Sequence, residues 1–270
     1  LSIISAIVCR RRSAWGLRTK SATIDPARVA IPLHWEAGGF YLYYSLRGQP
    51  DGDENSRKRI YAVADTGSPF LLIAKCLRKD CPVYCAEVGC FEGEGQPSND
   101  PISLEGYASG VVEVEWRTQG QVSFPEATAE GHAVELSGLR FGVQGRVTGF
   151  GGTGKAVFFG LIRDHMPGIN KSFLEQTPFK SFEIDLRYPG RETLELSTSS
   201  SRSPSGGEIL QRVKLVDPRR WGDPVKHYSA LATIRVGGEV VMAEESSRKV
   251  LVIFDTGTTG ASMTNSLYGA

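Results

Sequence analysis

The chain has 270 residues, with 31 basic side chains against 30 acidic ones and a formal net charge of +1. That balance gives no electrostatic reason to expect a nucleic acid partner, and 40% hydrophobic with 23% charged residues excludes a chain disordered throughout. The length suits one large all-β domain or two smaller lobes, and 31 Gly with 14 Pro favour a strand-rich, turn-rich fold.

Residues 1–28 read as the remnant of a targeting leader. "LSIISAIVC" is apolar but too short to span a membrane. "RRRSAWGLRTKSAT" follows with five basic residues and no acid, the first acid being Asp25. Entry into the secretory pathway is expected, toward a secreted or a vacuolar or lysosomal destination. A plastid-type or other organelle leader is the alternative. No stable membrane span is expected elsewhere.

Strand signals begin with "GGFYLYYSLRG" and "RKRIYAVAD", which flank the polar insert "QPDGDENS" as a hairpin with a long tip. The second of these runs into "YAVADTGSPFLL", where Asp65 sits in an apolar run and is followed by Thr66, Gly67 and Ser68. A carboxylate in such surroundings costs several kcal/mol unless it is hydrogen-bonded, paired or protonated, so a partner must exist elsewhere.

Cys76, Cys81, Cys85 and Cys90 then form two C-x4-C units. As disulfides they have three possible pairings, of which 76 with 81 and 85 with 90 keeps each bridge within its unit. Zinc would want tighter knuckles, and no His lies in the cluster, so disulfides are the favoured reading. "GVVEVEWR" alternates as a strand, and Trp116 within it reads as strand packing. "GFGGTGKA" at 149–156 has the G-x4-G-K spacing of a phosphate loop, but Ala156 replaces the magnesium-binding hydroxyl and no helix follows. It reads as a glycine-rich loop.

Asn170-Lys171-Ser172 is a glycosylation sequon, and "NKSFLEQ" is expected to make one or two helical turns capped by Asn170. "SFEIDLRY" and "ETLELS" read as a strand pair. The Ser-rich stretch "STSSSRSPSGGE" marks a boundary between lobes, so residues 29–200 form a first lobe and 201–270 the start of a second. "ALATIRVGGEVVM" is two strands about Gly237 and Gly238. His34, His132, His165 and His227 lack ligand spacing and read as surface or structural residues.

The partner for Asp65 comes last. "VLVIFDTGTT" repeats the apolar approach to Asp255, followed by Thr256, Gly257 and Thr258. Two carboxyls held side by side cannot easily both ionise, so they share a proton, one serving as general base on water and the other as general acid. Gly67 and Gly257 let each loop turn sharply toward the other copy. Thr66 and Thr256 are suited to cross-brace the loops through hydroxyl to backbone bonds, and Ser68 and Thr258 to donate to the outer carboxylate oxygens.

These residues resemble the pepsin-type family of aspartic peptidases, two-lobed β proteins with one Asp-Thr-Gly loop per lobe. The resemblance runs from about residue 29 to the end. It implies an all-β, bilobal β-barrel fold and an aspartic endopeptidase with Asp65 and Asp255 as its catalytic residues. By the same resemblance "EGYASG" at 105–110 is the flap that closes over substrate, with Tyr107 as its tyrosine, followed by Ala108, Ser109 and Gly110. "VFFGLI" at 157–162 is similar to the strand that crosses under the first catalytic loop. Leu72 stands where the family often has a Trp that bonds the flap Tyr, and Ala108 where Gly is common.

The resemblance implies a peptide or protein substrate, no metal or organic cofactor, and a monomer when complete. Only 15 residues follow Asp255, so the second lobe is expected to be truncated here. A catalytically silent binding or inhibitor protein on the same fold is the rival reading.

Overall fold

The computed structural model describes residues 28–36, 38–47, 58–75, 81–93, 95–107, 110–127, 134–148, 157–164, 170–199, 213–233, 235–236, 239–240 and 250–258. They are nearly all β. The strands are β1 (Arg28–Pro32), β2 (His34–Glu36), β3 (Gly39–Arg47), β4 (Lys58–Asp65), β5 (Leu71–Ala74), β6 (Gln96–Pro97), β7 (Ser103–Tyr107) and β8 (Gly110–Ser123). They continue as β9 (Glu135–Thr148), β10 (Phe158–Gly160), β11 (Ser181–Asp185), β12 (Thr193–Ser197), β13 (Ser229–Ala232), β14 (Arg235–Val236), β15 (Glu239–Val240) and β16 (Val250–Ile253).

Among the described residues one mixed sheet runs β2-β3-β4-β10-β5-β9-β8-β6, with β7 attached to β8. β8 also pairs with β3, through Ser45 and Ser123, so β3, β4, β10, β5, β9 and β8 close into a ring. Closure removes the open edges that a sheet of this size would otherwise present. Leu42, Tyr44, Ile60, Ala62, Ala64, Leu71, Ile73, Phe141, Val143 and Phe159 fill the interior of this part. β1, β12 and β11 form a second, antiparallel sheet that packs onto the same core through Val29, Ile31, Leu194 and Leu196.

The two strand runs at 38–48 and 57–65 pair as the expected hairpin, Tyr41 opposite Val63. The 181–188 and 192–197 runs pair as expected too. Arg235 to Val240 pair about residues 237–238, again as a hairpin. β13, however, pairs with β16, Ser229 opposite Ile253, so both acid motifs end a strand backed by an antiparallel neighbour.

Two local features depart from the sequence reading. The cysteine segment contains a helix, α1 (Cys81–Val88). Gly89, at φ 74°, ends it by donating to the Cys85 carbonyl, and the Cys85–Cys90 disulfide straddles that end. The pairing of Cys76 and Cys81 concerns side chains outside the described residues. "NKSFLEQ" forms turns rather than a helix, and its cap is Ser172, which exchanges bonds with Glu175, while Asn170 accepts from Arg140. Among the described residues no helix is long and apolar enough to cross a membrane.

Candidate active site

β4 carries Asp65 at its end and β16 delivers Asp255 two residues beyond Ile253. The apolar side chains of β4 are buried and carry Asp65 in with their strand, whereas β16 is only half-buried and Ile253 is exposed. Asp65, Thr66 and Ser68 are all buried. β10 holds the first loop from below. It runs parallel to β4 with Gly160 level with Asp65, and antiparallel to β5 with Phe158 opposite Leu72. The Leu161 amide donates to the Asp65 carbonyl at 2.7 Å and the Ile162 amide to the Ser68 carbonyl at 3.0 Å. A side chain on Gly160 would meet the Phe70 carbonyl at 2.6 Å, so only glycine allows this crossing.

The two acid loops interlock. The Thr66 amide donates to the Thr256 hydroxyl at 3.1 Å, and the Thr256 amide to the Thr66 hydroxyl at 2.9 Å. Each hydroxyl also donates across, Thr66 to the Phe254 carbonyl at 2.8 Å and Thr256 to the Ala64 carbonyl at 2.5 Å. Four bonds thus join residues 188 to 192 positions apart with near two-fold symmetry.

The glycines bring the acids together. A Cβ on Gly67 would lie 2.5 Å from the Asp255 carboxyl carbon, and one on Gly257 would lie 2.7 Å from that of Asp65. Gly67 donates its amide to Asp65 Oδ1 at 2.7 Å, and Gly257 donates to Asp255 Oδ1 at 2.8 Å. Thr258 donates its hydroxyl to Asp255 Oδ2 at 2.6 Å. Its counterpart, the buried Ser68 hydroxyl, pulls the Asp65 pKa downward but falls short of a full hydrogen bond. Burial first, and the Asp255 charge second, outweigh that pull and push the Asp65 carboxyl up to about 7. The pair thus sets a carboxyl that keeps its proton through the acidic range beside a second carboxyl. It can take a proton from a water while giving one to a carbonyl oxygen.

Over the pair lies the β7–β8 hairpin. Tyr107 pairs with Gly110 at its tip, and Ala108 and Ser109 lie outside the described residues. The Tyr107 ring stacks on Phe158, centroids 4.8 Å apart and 14° from parallel. Burial, then the Asp65 charge, then Glu105 raise the Tyr107 phenol pKa, as expected for a ring held close to the acids. Leu72, Phe70, Val112, Val114 and Trp116 pack beneath it. The Trp116 indole donates to Ser103 at 2.9 Å, and Ser103 donates to Glu105 at 2.7 Å, so a Trp on β8 ties down β7.

No family model matches the chain, and no curated protein matches it.

The contacts that follow were not anticipated from the sequence. The segment before β13 docks against the first loop. Lys226 donates its amide to Asp164 at 2.8 Å, the His227 ring reaches the Gly67 carbonyl, and the Tyr228 hydroxyl donates to the Leu161 carbonyl at 2.8 Å. The Tyr228 carbonyl in turn accepts from the Phe254 amide at 2.9 Å, just before Asp255. The only trace of this in the sequence is a run of polar and aromatic residues opening the second hairpin. Among the described residues no group of three His, Cys, Asp or Glu is placed to hold a metal ion. His34 is on the surface against Glu126; residues 132, 149–156 and 165 lie outside the described residues.

Proposed function

We propose that the protein is an aspartic-type endopeptidase. The observation that carries this reading is the pair of carboxyls from Asp65 and Asp255, brought together by glycines that leave no room for a side chain and cross-braced by Thr66 and Thr256. Burial and mutual repulsion favour a single shared proton, and the titration belongs to the pair.

The chemistry follows from that proton. A water between the carboxyls loses a proton to the ionised one as its oxygen attacks the scissile carbonyl carbon. The proton on the other carboxyl passes to the carbonyl oxygen. When the tetrahedral intermediate collapses, the C–N bond breaks, the leaving amine takes up the proton drawn from water, and one hydroxyl of the intermediate returns its proton to the other carboxyl as the product carboxyl forms. The substrate is an extended peptide or protein segment lying between the pair and the β7–β8 hairpin, with Tyr107 and Phe158 beside it. No metal or organic cofactor takes part. The Cys85–Cys90 disulfide supports an oxidising compartment on the secretory route.

The test is hydrolysis of a library of extended peptides at acid pH by the complete protein. Cleavage is expected to be inhibited by a statine-type transition-state mimic, to resist chelators, and to fall by about 10²-fold or more in Asp65→Asn and Asp255→Asn. A folded protein that binds such peptides without cleaving them would instead be a silent binding protein on this fold.

A further inference from the structure

His227 stands between two acceptors. Its Nδ1 lies 2.9 Å from both oxygens of Asp223, and its Nε2 lies 3.1 Å from the Gly67 carbonyl oxygen. An ionised carboxylate and a peptide carbonyl accept but do not donate, so each ring nitrogen faces a group that needs an N–H from it. Neutral imidazole has one N–H and satisfies one of them. The imidazolium satisfies both.

The surroundings fix the ring in that place. Asp223 is pinned by the Val225 amide, which donates to its Oδ1 at 3.0 Å, and the His227 amide donates to the Val225 carbonyl at 3.1 Å. Both side chains are largely shielded, with 19% of His227 and 17% of Asp223 exposed. Among the described residues the charged group that meets the ring is Asp223, and Gly67, which it also meets, contacts Asp65 through its amide and lies against Asp255. One residue back, Lys226 donates its amide to Asp164, which pairs with Arg219, and Arg219 also pairs with Asp217.

Gly67 is the residue whose amide holds Asp65 and whose missing side chain makes room for Asp255. Pinning its carbonyl fixes the Gly67–Ser68 peptide plane, one side of the residue that makes both of those contacts. We infer that His227, oriented by Asp223, is a positioning residue that grips the first acid loop through Gly67 in its doubly protonated form. This rests on the endopeptidase reading above. It adds a second proton to the acid form of the site, one that holds the loop rather than taking part in the reaction. Losing that proton releases one of the two bonds and loosens the loop.

The test uses the complete protein, with His227→Gln, His227→Ala and Asp223→Asn beside it. Ring ¹⁵N shifts of His227, assigned by their absence from the His227→Gln spectrum, are expected to show both nitrogens protonated at pH 5. In the His227 variants kcat is expected to fall about ten- to hundredfold with KM changed less, and Asp223→Asn to lie between them and the wild type. The fall should be smallest at a pH high enough for the wild-type ring to have lost its charge. Thermal melts identify any variant that fails to fold, and the ring shifts of the wild type then decide the grip alone. A ring with one proton at pH 5, or kcat within about twofold of wild type in every folded variant, overturns the inference. A wild type that cleaves no peptide overturns the endopeptidase reading and the kinetic role with it, while the ring shifts still report on the grip.

Discussion

Thr66 and Thr256 each donate a backbone amide to the other's hydroxyl, at 3.1 and 2.9 Å, across 190 positions of chain. Every donor and acceptor in this exchange is at least partly withdrawn from water, so removing one hydroxyl leaves an amide and a carbonyl unpaired. Thr66→Val and Thr256→Val are each expected to destabilise the protein by about 1–3 kcal/mol in denaturant unfolding. The double variant should cost close to the sum, because the two hydroxyls make separate bonds and share only their 3.4 Å contact with each other.

Gly67 and Gly257 test the closeness of the acids directly. An added methyl at Gly67 would sit 2.5 Å from the Asp255 carboxyl carbon, and one at Gly257 would sit 2.7 Å from that of Asp65. Neither carboxyl can yield without breaking its own hydrogen bonds. Gly67→Ala and Gly257→Ala are therefore expected to lose about 1–3 kcal/mol of stability and to separate the pair, lowering kcat by about 10²-fold. Equal activity in either alanine variant, measured beside its melting curve, would mean the loops are not this close.

The pH dependence of stability has a definite sign. The Asp65 carboxyl is raised from 3.8 to about 7 by burial and by Asp255, so the folded state holds a proton that the unfolded chain gives up. Its contribution is fully present below about pH 4 and is lost as pH rises through about 7. Stability is expected to fall by a few kcal/mol over that window, and Asp65→Asn should flatten the slope. Unfolding free energies at half-unit steps from pH 4 to 7.5 give the answer, and a slope that survives the substitution assigns it elsewhere.

Trp116 is expected to serve the β7–β8 hairpin through one bond. Trp116→Phe keeps an aromatic ring against Phe70, whose centroid is 5.0 Å away, but frees Ser103 and with it Glu105. One neutral hydrogen bond is worth about 1 kcal/mol, so KM for a peptide should rise about fivefold with kcat changed less. An unchanged KM would show that Tyr107 needs no support from this side.

The acid loops were legible because each acid arrives on the same apolar run and is followed by Thr and Gly, and those residue types carry their roles within four positions. The strand hairpins were legible from alternation. What lay beyond reach depends on pairings between distant segments. β10 slips between β4 and β5 in a parallel and an antiparallel register at once, which no local pattern encodes. His227 meets Gly67 across 160 positions, and its sequence neighbours offer no ligand spacing to mark it. Helix α1 has no apolar periodicity; it is bounded by Gly89 and straddled at that end by the Cys85–Cys90 disulfide, so the cysteines there read as a loop. Trp116 on β8 packs in one cluster with Leu72 on β5, two strands away, and donates to Ser103, a contact that only the fold reveals.

One proton held between Asp65 and Asp255 is the centre of this account, and the pH profile of kcat/KM for an extended peptide reads it most directly. The complete protein should give a bell with its upper limb near pH 7, set by the raised Asp65 carboxyl, and Asp255→Asn should abolish the bell along with about 10²-fold or more of the rate. A rate that stays level from pH 4 to 9, or that survives the loss of the Asp255 carboxyl, would contradict it.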